Sequence, residues 1–124
     1  MLSEVVDSLR PLIAKAVDNH KGDSSRVFLL GYSAGAQVAI RLALGHSQTL
    51  GGCVALAGFH TQPSVTLGRE RDHWITPAGR LTPLLSCVAG KDICLPTDFC
   101  TDSAAHIASL GCDVEIQVLT DETH

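Results

Sequence analysis

Aromatic residues are scarce in this 124-residue chain, three Phe, one Tyr and one Trp making up 4%, so stacked rings cannot dominate its core. Positive charge is scarce too. Nine Lys+Arg stand against thirteen Asp+Glu for a formal net charge of −4, and Arg69, Arg71 and Arg80 are scattered rather than run together. That distribution excludes the basic footprint of a nucleic-acid or anionic-membrane binder. No apolar run approaches the roughly 18 uninterrupted residues of a membrane span. The N-terminus carries Glu4 and Asp7 where a secretory signal would carry basic residues, and no apolar region with a small-residue cleavage site follows. The expected address is cytoplasmic. Cys53, Cys87, Cys94, Cys100 and Cys112 are odd in number and contain no C-x-x-C pair. They are expected to be reduced, mainly buried small hydrophobes rather than disulfides, metal ligands or thiol nucleophiles.

What is abundant is small and aliphatic: 45% of residues are hydrophobic and the mean hydropathy is +0.21. One soluble globular domain spanning 1–124 is expected. Plentiful Leu, Val, Ala and Gly suit strands buried on both faces with closely packed helices, the parallel α/β style of core. Leu2, Val5, Val6, Leu9, Leu12, Ile13, Ala16 and Val17 recur at helical spacing, with Pro11 predicting a kink or restart. After a polar turn at 21–25, Arg26 to Gly31 reads as a fully buried strand. Ala36 to Ala43 then gives a second helix stopped by Gly45 in the C′ position. Leu50 to Gly58 is a second buried strand, and Phe59 to Arg80 an aperiodic excursion loop. Pro83 to Ala89 is a third strand, followed by a helix from Thr97 or Asp98 to Leu110. Asp113 to Leu119 is a fourth, whose alternation places it near a sheet edge. About four parallel strands flanked by helices are therefore expected, with functional residues at their carboxyl ends.

Gly31-Tyr32-Ser33-Ala34-Gly35 matches G-x-S-x-G, directly after a strand and directly opening a helix. That is the setting of a nucleophile elbow, where both glycines are expected to relieve clashes in a tight turn. The serine hydroxyl would stand at the helix N-terminus, with the Ala34 N–H and the helix dipole available to an oxyanion. The plainer alternative is a glycine-rich turn that binds phosphate. A serine needs a base, and Asp92 follows the third strand while His124 follows the fourth. Chain order Ser, Asp, His at successive strand ends is the α/β-hydrolase order. His60, after the second strand, is the rival base. His20 and His46 lie in turns on the opposite side of the sheet, His106 inside the last helix and His73 by the loop. Trp74 either belongs to a solvated loop or lines an acyl pocket.

These segments resemble the phospholipase/carboxylesterase group of α/β-hydrolases, which includes acyl-protein thioesterase-like enzymes, with dienelactone-hydrolase-like proteins second. The resemblance rests on Val27 to Ala36, Gly51 to Phe59, Thr82 to Leu85 leading to Asp92 with Pro96 beyond it, and Gly111 to Glu115 leading to His124. It implies a partial α/β-hydrolase fold lacking the upstream strands and the loop that gives a second oxyanion donor. It also implies Ser33 as nucleophile, His124 as base and then acid, Asp92 orienting the imidazole, and Ala34 as an oxyanion-hole donor. No metal or organic cofactor is implied. The expected substrate is a carboxylic ester or thioester, small or protein-borne, and the first strand would lie at an open edge through which two copies could pair. The alternative is a non-catalytic remnant of a hydrolase fold serving as an interaction or structural unit. With His124 as the last residue, its own α-carboxylate would favour the protonated imidazole.

Overall fold

In the computed structural model, which describes residues 2–57, 74–90 and 97–119, the chain runs through three helices and four strands. In order they are α1 (Leu2–Asn19), β1 (Phe28–Tyr32), α2 (Ala34–Leu44), β2 (Gly52–Leu56), β3 (Leu84–Ala89), α3 (Thr97–Ser109) and β4 (Val114–Leu119). The strands form one sheet in the order β1-β2-β3-β4, every neighbouring pair parallel. This is the expected α/β class with four parallel strands flanked by helices.

The direction of travel decides where the helices lie. Right-handed crossovers that each move the chain one strand the same way put their helices on the same face of the sheet. Accordingly α2 packs on β1 and β2, α3 packs on β3 and β4, and both share one core. Ala36, Ala39 and Ala43 of α2 and Ile107 of α3 join Cys53, Ala55 and Leu84 there, with Val6, Ile13 and Val17 of α1 behind α2. Alanines at the contact let the helix backbone approach the sheet closely, which is how a core so poor in aromatics fills its space.

The strand residues record this one-sidedness. Cys53 and Ala55 of β2 and Leu84, Ser86 and Val88 of β3 are buried, whereas the intervening Val54, Leu56, Leu85 and Cys87 are only half-buried. Burial of the strands on both faces, expected from their continuous apolar runs, is therefore not what the described elements provide. β1 departs furthest. Expected to be fully buried over 26–31, it begins two residues later and ends one later, and Phe28, Leu30 and Tyr32 are exposed. These alternate side chains lie on the face of the sheet that no described helix covers, and among the described residues β1 has a neighbouring strand on one side only. β4 closes the other edge and is largely exposed, in keeping with its alternating sequence.

Two local expectations also change. α1 continues through Pro11 without a restart. The proline is solvent-exposed, and burial of Val6 before it and Ile13 after it holds both halves of the helix on the same core. Gly45 caps α2, but at φ −97° rather than in the left-handed region. Space is what requires glycine there: a Cβ would sit 2.7 Å from the Arg41 carbonyl oxygen and 3.1 Å from that of Trp74.

The tail of the expected excursion loop is firmly docked. Thr76 donates its N–H to the Leu44 carbonyl at 3.0 Å, and a single 3-10 turn follows at Gly79–Leu81. The wholly buried Thr82 hydroxyl accepts the Leu50 N–H at 2.9 Å.

Candidate active site

Ser33 sits between β1 and α2 at φ 55°, ψ −119°, a conformation that L residues rarely adopt. Its backbone N–H still reaches the neighbouring strand, donating to the Leu56 carbonyl at 2.8 Å, while its own carbonyl accepts from Ala36 N–H at 3.0 Å. One residue thus completes the sheet ladder and opens the helix. The side chain makes no capping hydrogen bond to α2. Ala34 is the first residue of that helix, so its N–H belongs to the group of N-terminal donors that no intrahelical carbonyl takes up.

The two motif glycines differ. A Cβ on Gly31 would collide with the Gly35 carbonyl oxygen and lie 2.7 Å from the Ala36 Cα, so the strand can turn into α2 only with glycine there. A Cβ on Gly35 would meet nothing within 4 Å among the described residues. The expectation that both positions relieve a clash holds for the first and not for the second.

The neighbouring strand ends repeat this hooked arrangement. Just past β2, Ala57 also has positive φ, 51°, and donates to the Cys87 carbonyl at 2.8 Å. Just past β3, Gly90 donates to the Leu119 carbonyl at 2.9 Å. A strained alanine has no sequence signature, and the composition around Ala57 did not announce it. The ladder is therefore tied up to its carboxyl rim at all four strands. Asp92 follows Gly90 by two positions, and His124 follows Leu119 by five. Both, with the rival His60, lie outside the described residues.

The remaining candidates fall elsewhere. Trp74 packs against the core beside the end of α2, with the guanidinium of Arg41, about two helical turns beyond Ser33, 4.6 Å from its ring centroid. It is half-buried against the core, at the opposite end of α2 from the serine. His46 is buried just past the same helix end. Burial depresses its pKa, against a hydrogen bond with the Gln48 side chain, and Arg10 adds to the depression. His106 lies in α3 and His20 in the turn after α1, both as expected. Among the cysteines, Cys53, Cys87 and Cys112 are free thiols. Burial pushes Cys53 up to about 12. Cys87 is raised by burial and then by Glu115, and Cys112 by burial against the opposing pull of Arg80. None is a thiolate at neutral pH, so none competes with Ser33 as a nucleophile. Among the described residues no group of His, Cys, Asp or Glu is arranged to hold a metal ion, and no helix is long and apolar enough to cross a membrane.

A family model for phospholipase/carboxylesterase proteins matches residues 2–124. The chain belongs to that family. No curated protein matches it by sequence. Among solved structures, Arabidopsis thaliana SOBER1 superposes with a TM-score of 0.86 at 19% identity, over 99% of this chain and 56% of that one. A carboxylesterase from Bacillus cereus gives a TM-score of 0.73 at 15% identity, over 99% and 53%. A dienelactone hydrolase from Klebsiella pneumoniae gives 0.69 at 20%, over 99% and 50%. At these identities the likeness is one of fold, the α/β-hydrolase fold. The chain spans little more than half the length of the solved chains it matches.

Proposed function

We propose that this chain carries the nucleophile of a serine hydrolase that cleaves a carboxylic ester or thioester. The observation that carries the reading is Ser33, held in a strained strand-to-helix turn at the start of α2 in a member of the phospholipase/carboxylesterase family. Strain of this kind costs about 1–3 kcal/mol and persists where the surroundings over-determine it, as they do here through the Leu56 and Ala36 hydrogen bonds.

In this reading His124 takes the proton of the Ser33 hydroxyl as its oxygen bonds to the acyl carbon, and Asp92 orients the imidazole. The oxyanion that forms is received by the Ala34 N–H at the positive end of α2. Collapse expels an alcohol or thiol that leaves with the proton from His124. Water then repeats the sequence on the acyl-enzyme, releasing the acid and restoring Ser33. No metal or organic cofactor enters. Reach supports the assignment. Strands spaced about 4.8 Å apart put the ends of β1 and β4 roughly 14 Å apart, and five residues beyond Leu119 extend up to about 17 Å. The free thiols of Cys53, Cys87 and Cys112 fit the reducing cytoplasm as the place of action.

Fluorophosphonate labelling tests the reading. Covalent modification at Ser33 that Ser33→Ala abolishes is the expected result, and a Ser33→Ala protein that labels like the parent would overturn it. The second reading, a hydrolase-fold unit that binds without catalysis, is favoured by the exposed apolar edge at β1. It predicts a folded protein that takes up no probe.

A further inference from the structure

We propose that Ala57 is a positioning residue for Ser33: its left-handed backbone fixes the peptide it shares with Leu56, and that peptide anchors the turn that carries the serine. The role rests on the reading of Ser33 as the nucleophile.

A trans peptide is one rigid plane whose C=O and N–H point in opposite directions. The plane joining Leu56 to Ala57 uses both. Its carbonyl accepts the Ser33 N–H at 2.8 Å and its N–H donates to the Cys87 carbonyl at 2.8 Å, so one rigid unit ties the strand-to-helix turn across β2 to β3. Two hydrogen bonds in series through a shared amide strengthen each other. The register puts this unit at the end of the regular ladder, because Tyr32 pairs with Leu56 and Leu56 with Cys87, and both pairings stop there.

Ala57 sits where the chain leaves the sheet. Its N–Cα bond closes one end of the plane, so φ at 57 relates the orientation of the plane to the direction in which the chain departs. At 51° the departure begins one position past the last ladder pair, the level at which Ser33 turns away with φ 55°. The two strands leave side by side. An extended φ at 57 would keep the departing chain on its course only by rotating the plane, and a rotated plane loses the Ser33 or the Cys87 hydrogen bond.

Among the described residues other than glycine, positive φ occurs at Lys21 in the turn after α1, at Ser33 and at Ala57. Of these Ala57 is the buried one, at 8% exposure. The left-handed region is costly for alanine, whose Cβ crowds the following carbonyl oxygen. Such strain persists where the surroundings over-determine it, and it gathers at functional sites. Here one of the two hydrogen bonds that over-determine the plane comes from the serine itself.

Substitutions at 57 that differ in left-handed preference test this, with two measurements on the whole chain. Fluorophosphonate labelling of Ser33 is resolved into a maximal rate and a half-saturating probe concentration, and hydrogen exchange of the Ser33 amide is followed by NMR. Ala57→Asn and Ala57→Leu add side chains of similar size, but asparagine enters the left-handed region readily and leucine rarely. Ala57→Gly should label within about threefold of the parent, since glycine holds φ 51° without strain. Ala57→Leu should label about 10–100-fold more slowly at an unchanged half-saturating concentration, the cost of a misplacement of about 1 Å, and Ala57→Asn at least about tenfold faster than Ala57→Leu. Exchange of the Ser33 amide should speed up in Ala57→Leu while that of Ile107 in α3 stays as in the parent. A folded Ala57→Leu protein that labels like the parent, or equal slowing in Ala57→Asn and Ala57→Leu, would overturn the proposal. Should Ala57→Leu fail to fold, the parent decides. The Ser33 and Ala57 amides, bonded through one plane, should show equal protection in native exchange, and a Ser33 amide that opens independently of Ala57 overturns the anchor. A parent that takes up no probe defeats the nucleophile reading instead, and the exchange measurements still judge the anchor.

Discussion

Ser33 donates its backbone N–H to the Leu56 carbonyl at 2.8 Å although its own φ is 55°, so the residue that leaves the sheet is still anchored to it. The anchor fixes where the chain turns, and Gly31 decides whether it can. The Gly31 position lies against the Gly35 carbonyl and the Ala36 Cα, both backbone atoms that cannot rotate aside.

Gly31→Ala should therefore destabilise the fold strongly, by about 2–4 kcal/mol, through displacement of α2 from β1. Gly35→Ala, in open space on a helix, should be neutral or more stable by up to about 1 kcal/mol, the helix propensity difference. Urea denaturation of the two variants checks the contrast. Equal destabilisation at both positions would show that the two glycines play the same part.

How much of this was legible beforehand depends on what each residue answers to. Order and type of the elements could be read, because periodicity and turn residues such as Gly45 are local. The turn carrying Ser33 could be read for the same reason. Exposure of Phe28, Leu30 and Tyr32 could not be read from their own segment, since an apolar run looks alike in the middle of a sheet and at its edge. Position in the sheet follows from what pairs with β1, which is not a property of residues 28–32. Ala57 was opaque for a different reason. Its positive φ goes with a hydrogen bond to the Cys87 carbonyl on the next strand, and nothing in an alanine signals it.

Ser33→Gly should raise stability while removing the hydroxyl. Glycine reaches φ 55°, ψ −119° without a Cβ clash, and relief of about 1–3 kcal/mol exceeds the roughly 0.5–1 kcal/mol of extra chain entropy that glycine brings. Ser33→Ala keeps the strain and should leave stability near the parent. Thermal melts of both variants, beside the parent, test whether the turn stores strain; a Ser33→Gly protein less stable than Ser33→Ala would argue that it does not.

Cys53 should resist thiol reagents in the native state. It is 1% exposed and its thiol is pushed up to about 12 by burial, so both access and thiolate are lacking. Alkylation at about pH 8 followed by peptide mapping should find Cys53 unmodified until denaturant is added. Rapid native modification would mean that the helix-covered face of β2 opens readily.

His46 should make stability depend on pH on the acid side of neutrality. It is buried just past α2, its Nε2 meets no hydrogen-bond partner among the described residues, and burial sets its folded pKa below the ordinary 6.5, against the opposite pull of a Gln48 hydrogen bond and with a smaller contribution from the nearby Arg10 charge. The unfolded chain therefore takes up the proton first as pH falls. The stabilisation is complete above about pH 6.5, declines below it, and is lost once pH passes through the folded value. Replacing the imidazole in His46→Asn should flatten that part of the profile while leaving the region above neutrality unchanged in slope. Denaturation midpoints between about pH 7.5 and 5 decide it: if parent and His46→Asn fall in parallel, another group carries the acid sensitivity.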